Sequence, residues 1–108
     1  MLEGIDLDQR IEYSCKGDTK NPTVFIFKPL DGFEMLRLSE YVKTDVVSLG
    51  GDYVREMLSL CVIEVKNPDL TKSGDIEKFI SMQDVTTLTE LTFKAMRVNK
   101  LMDDEAKN

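Results

Sequence analysis

The side chains with the most accessible chemistry are two cysteines, Cys15 and Cys61, and twenty carboxylates; there is no histidine. Without imidazole the chain lacks the commonest general base and the commonest metal ligand. The cysteines stand 46 positions apart, which by itself makes no zinc site. Asp6 and Asp8 sit close together, but no third or fourth oxygen ligand follows at EF-hand spacing. Ser14 precedes Cys15 with no base beside it, and Gly50-Gly51-Asp52 lacks both the spacing and the lysine of a phosphate loop. The reading is a non-enzymatic chain: no catalytic, cofactor-binding or metal residue is assigned, and both thiols are expected to be buried and reduced.

Composition fits one globular domain. The 108 residues are 42% hydrophobic and 31% charged, with a net charge of −6. That balance disfavours nucleic-acid binding, which needs clustered Lys and Arg. The N-terminus has neither a basic n-region nor an apolar h-region, and no apolar run approaches a membrane span, so a cytosolic protein without a membrane partner is expected.

Residues 1–10 are polar and short of anchors. Ile11-Glu12-Tyr13-Ser14-Cys15 alternates as a half-buried strand, and Thr23–Lys28 is apolar on both faces. The turn formers Gly17–Pro22 between them predict a β-hairpin. Asp31 and Glu34 form a capping box, with Leu30 and Met35 as its hydrophobic staple, for a helix running to about Val42. Its stripe is Met35, Leu38 and Val42, widened by Phe33, Leu36 and Tyr41. Asp52 predicts the cap of a second helix, Tyr53 to about Leu60, with Val54, Met57, Leu58 and Cys61 inward. Val62–Val65 is either a third strand or more helix, and Asn67-Pro68-Asp69 stops it. Residues 66–74 read as a polar loop and 75–80 as a short helix.

Ser81 to Asn108 reads as one long amphipathic helix, opened near Met82 by the capping box Ser81–Asp84 and ending in a charged tail, Asp103–Asn108. At 100° per residue, Val85, Leu88, Leu91, Ala95, Met96, Val98 and Met102 cover an arc of about 160°, enough for one core face. Phe93 and Leu101 fall outside it. An apolar strip on the edge of that arc, Phe93, Met96 and Leu101, is the predicted partner contact. The expected fold is therefore α+β: an N-terminal β-hairpin, with 61–66 as a possible third strand, packed against three to four helices, the last long and amphipathic. It forms a single domain over 1–108, with 1–10 and 103–108 flexible.

Three segments, Gly4–Tyr13, Phe27–Leu36 and Leu88–Leu91 through Asn99–Asn108, resemble the tail assembly chaperones of long-tailed bacteriophages. The resemblance is carried by a strand, Lys28-Pro29-Leu30, a turn glycine and a helix, and by a closing leucine, acidic run and Ala106-Lys107-Asn108. It covers about half the chain; Thr44 to Ser81 adds little. It implies a non-enzymatic morphogenesis factor in the cytoplasm of a bacterial host. Such a protein coats the tape-measure protein, recruits tail-tube subunits, associates weakly with itself, and leaves before the tail is finished. Many such chaperones also have a frameshifted longer form, and Ala-Lys-Asn can be encoded over a slippery A AAA AAC heptamer. Two other functions fit the composition: a head-tail connector retained in the virion, and an acidic inhibitor that mimics nucleic acid to block a host defence enzyme.

Overall fold

A computed structural model describes residues 2–41 and 50–101 of the chain. The fold is α+β, as expected: β1 (Ile11–Tyr13), β2 (Val24–Phe27), α1 (Gly32–Ser39), α2 (Gly51–Cys61), β3 (Val62–Lys66), α3 (Ser73–Ser81) and α4 (Val85–Val98). The three strands form one antiparallel sheet in the order β1-β2-β3. The hairpin is present, and the ambiguous segment after Cys61 is its third strand. Asn67 adopts a positive φ, and its side-chain amide donates to the carbonyl of Asn21 at 2.7 Å, which ties the turn after β3 to the hairpin loop.

Phe25 and Phe27 point from β2 into the helical layer, where they join Tyr53, Met57, Leu58, Ile76, Leu91 and Ala95 in one core. Val62 and Val65 are both buried in that core, although strict alternation would send residues three apart to opposite faces. The register shift between Ile26 and Phe27 resolves this. Ile26 pairs with Glu64 and Phe27 with Val62, so Ile63 is the extra residue of a bulge that brings Val62 and Val65 to the same side. On the other face Ile26 is also buried, in register with Glu12 and Glu64, and Lys66 pairs with Glu12 at 3.5 Å.

The α1 start is as predicted. Asp31 Oδ1 accepts from the Glu34 amide at 2.8 Å, and Glu34 Oε1 accepts from the Asp31 amide at 3.0 Å. The helix stops at Ser39, earlier than expected; Val42 lies outside the described residues. Leu38 is buried, but Phe33 and Leu36, expected to widen the inward stripe, are exposed. An ion pair of 2.9 Å between Arg37 and Glu56 fastens α1 to α2. Helix α2 starts at Gly51, two residues before its predicted first residue, with Gly50 as N-cap and Asp52 in the first turn, where a negative charge suits the dipole. Tyr53 is buried there with Met57, Leu58 and Cys61.

Helix α4 differs most from expectation. Its N-cap is Asp84, whose Oδ1 accepts from the Thr87 amide at 2.8 Å. Ser81 instead ends α3 and returns its hydroxyl to the Lys78 carbonyl. The helix closes at Val98, one turn before Met102, the last residue of the predicted arc. Lys100 adopts a φ of 60°, the Leu101 amide bonds to the Met96 carbonyl at 2.7 Å, and the Lys100 amide bonds to the Arg97 carbonyl at 3.0 Å. That pair of reversed bonds is a Schellman motif, which satisfies the last carbonyls and turns the chain away from the helix axis. Thr92, polar and fully buried on the inner face, donates its hydroxyl to the Leu88 carbonyl. Residues 102–108, Met102 of the predicted arc among them, lie outside the described residues.

Candidate partner-binding groove

The three residues predicted to meet a partner do not form one exposed strip. Met96 is 8% exposed and belongs to the core, so its surface is committed to folding. Phe93 is half-buried and packs against the same core. Leu101 is 41% exposed, just past the Schellman turn. The inner face of the helix is too broad for the three to line up on one exposed surface.

The structure instead opens a groove of about 770 Å³ between α2, α3 and α4. Its apolar lining comes from Val54 and Leu58 of α2, Ile80 of α3, and Val85 and Leu88 of α4. Leu58 and Ile80 are buried core residues that form its floor, Val54 and Leu88 are half-buried in its walls, and only Val85 of the five is exposed. Val85, on the predicted core arc, is 78% exposed, and Met82 at the α3–α4 junction is 72% exposed. Arg55 and Lys78 also line the groove, and neither makes an ion pair among the described residues. Glu77 lines it too, with its Oε1 accepting from the Ser59 hydroxyl at 3.1 Å. An apolar trough of this size with a few polar groups at its edge suits an amphipathic helix or an extended apolar peptide. Nothing in the sequence signals this: Val85 falls on the arc read as core, and only the structure shows it exposed.

A second polar cluster joins β1 to α4. Glu90 Oε2 accepts from the Tyr13 hydroxyl and, at 2.8 Å, from the Lys16 amide. Lys94 Nζ lies 5.4 Å from the centre of the Tyr13 ring, within cation–π reach. Burial and the Glu90 carboxylate raise the Tyr13 hydroxyl's pKa well above its usual value. Donation by the Tyr13 hydroxyl, aided by the Lys16 amide, holds the Glu90 carboxyl below its ordinary value. A carboxylate depressed in the folded state stays ionised after its unfolded counterpart has taken up a proton. Its contribution is therefore complete above the ordinary glutamate pKa and lost as pH falls through the folded value. Glu90→Gln is expected to flatten the fall in stability on acidification below about pH 4.5, read by urea unfolding at a series of pH values. A slope equal to that of the wild type would remove Glu90 from the acid response.

The same surroundings decide the thiols. Burial, with the charges of Glu90 and Asp18, pushes Cys15 up to about 11. Burial pushes Cys61 to about 11 as well, against a hydrogen bond from Asn99 that favours the thiolate. Because the thiolate is the nucleophile, both are poor nucleophiles at neutral pH. Alkylation with iodoacetamide at pH 8 should be at least about tenfold slower in the folded chain than in denaturant. Mass spectrometry of the two cysteine peptides would check this. Among the described residues no group of three potential ligands gathers to hold a metal ion, and no helix is long and apolar enough to cross a membrane.

The α+β architecture thus leaves an open groove between α2, α3 and α4, and comparison with family models, curated proteins and solved structures finds no match to this chain.

Proposed function

We propose that this chain is a tail assembly chaperone of a long-tailed bacteriophage, acting in the cytoplasm of the bacterial host. It binds the tape-measure protein, helps recruit tail-tube subunits and performs no catalysis. The sequence resemblance motivates this reading, and the observation that supports it structurally is the open groove with Val85 exposed in its lining. A chaperone for a long helical protein must cover that protein's apolar ridges reversibly. A shallow trough with Val85 exposed and Val54 and Leu88 half-buried, over a floor of buried Leu58 and Ile80, offers such a seat for one or two helical turns at a time. The binding residues in this reading are those of the groove, with Leu101 as a separate exposed apolar contact. Net acidity favours solubility at the concentrations that coating a long protein requires.

A chaperone leaves before the tail is complete, whereas a connector stays. Mass spectrometry of purified particles and of the infected-cell lysate separates the two. The chain is expected in the lysate and absent from finished particles; a stoichiometric signal from the particles would overturn the chaperone reading.

A further inference from the structure

Residues 2–10 form an arm whose exposed apolar side chains join none of the core contacts. Leu2 is 98% exposed, Ile5 55% and Leu7 47%. They alternate with Glu3, Asp6 and Asp8, and no basic residue occurs before Arg10. The arm carries local order of its own: the Asp8 amide bonds to Asp6 Oδ1 at 3.1 Å, and Arg10 caps the turn through the Leu7 carbonyl at 2.9 Å. It leaves the sheet at the Ile11 end of the edge strand β1, while the Tyr13 end faces Glu90 of α4. The exposure of Leu2, Ile5 and Leu7 shows that the arm does not occupy its own chain's groove.

The arm and the groove are both apolar but differ in charge: before Arg10 the arm carries only acids, whereas the charged lining of the groove is Arg55, Lys78 and Glu77, two cations to one anion. The groove is apolar and bears Arg55 and Lys78, two cations without ion-pair partners among the described residues of a chain with net charge −6. We propose that the arm of one copy seats in the groove of a second copy, with Ile5 and Leu7 against the apolar lining and Asp6 and Asp8 toward Arg55 and Lys78. The contact joins two different surfaces and is heterologous, so an open assembly keeps one free arm at one end and one free groove at the other until a ring closes. Three apolar side chains on a short arm give weak, reversible association, because ordering the arm offsets much of what burial gains. Since the groove is also the proposed cargo seat, self-association and tape-measure binding compete. The proposal rests on the groove as a binding surface but not on the identity of its cargo.

Sedimentation velocity of the full chain alone provides the test. The wild type is expected to pass from monomer to larger species with a midpoint on the order of 0.1 mM. Ile5→Asp with Leu7→Asp disables the arm, and Arg55→Glu with Lys78→Glu disables the groove; all four positions are exposed, which limits damage to the core. Each double variant should remain monomeric where the wild type associates. Mixed together, they should form a one-to-one complex that grows no further, because one intact arm then meets one intact groove. Val85→Asp, which leaves both cations in place, should behave as the groove variant does. A wild type that stays monomeric, a variant that associates like the wild type, or a mixture that forms no complex would each overturn the proposal. None of these results bears on cargo binding, which is read separately by co-expression.

Discussion

Phe27→Ala is expected to lower the free energy of unfolding by about 3–5 kcal/mol. Phe27 is fully buried on the central strand, pairs with Ile11 on one side and Val62 on the other, and meets the Tyr13 ring edge-on at 6.4 Å between centroids. Its neighbours come from a sheet pinned by hydrogen bonds, so the cavity left by the ring has little freedom to collapse. Domains of this size are stable by only about 5–15 kcal/mol, so the variant should be largely unfolded at mild urea concentrations. Urea titration followed by circular dichroism checks this: the midpoint should fall sharply with little change in slope. Phe33→Ala provides the contrast. That ring is exposed on α1, and its loss should shift stability by no more than about 0.5 kcal/mol.

Asn99→Ala should cost about 2 kcal/mol, a large effect for a residue outside every helix and strand. Its Oδ1 accepts from the Leu30 amide at 2.6 Å, and its Nδ2 donates to the Ala95 carbonyl at 2.8 Å and to Cys61 Sγ at 3.3 Å. One side chain thus clamps three junctions: the passage from β2 to α1, the end of α2 and the end of α4. The Lys28 amide, bonded to the Cys61 carbonyl at 2.9 Å, belongs to the same knot. Truncation strands a partly buried amide at Leu30, and an unsatisfied donor costs more than an average hydrogen bond contributes. Hydrogen exchange would localise the effect, with the Leu30 amide losing protection before the β2 amides do.

Features encoded by adjacent residues were legible in the sequence. The α1 capping box needs only Asp31 and Glu34, and the hairpin needs only two β-rich runs around a polar turn. Features that depend on distant partners were not. Whether Val62–Val65 continues a helix or joins a sheet is decided by pairing with β2, nearly forty positions away, and the bulge that reconciles Val62 with Val65 exists only in that pairing. At the start of α4 two caps compete, and the Asp84 carboxylate holds the position while Ser81 bonds backward into α3. The end of α4 was hidden because a lysine, Lys100, occupies the left-handed position that glycine usually marks. The core takes up Met96 and half of Phe93, which leaves Leu101 as the exposed member of the predicted contact strip. The groove had no sequence signature as a whole, because it is the space between three helices whose individual stripes each look like ordinary core.

That groove is the proposed cargo seat, and co-expression with a tape-measure protein, the proposed cargo, reads its role. The tape-measure protein should be largely soluble with the wild-type chain and largely insoluble without it. Met82→Asp with Val85→Asp, two exposed positions whose substitution leaves the core intact, should return it to the insoluble fraction. Equal solubility with wild-type chain, double variant and no chain at all would contradict the account.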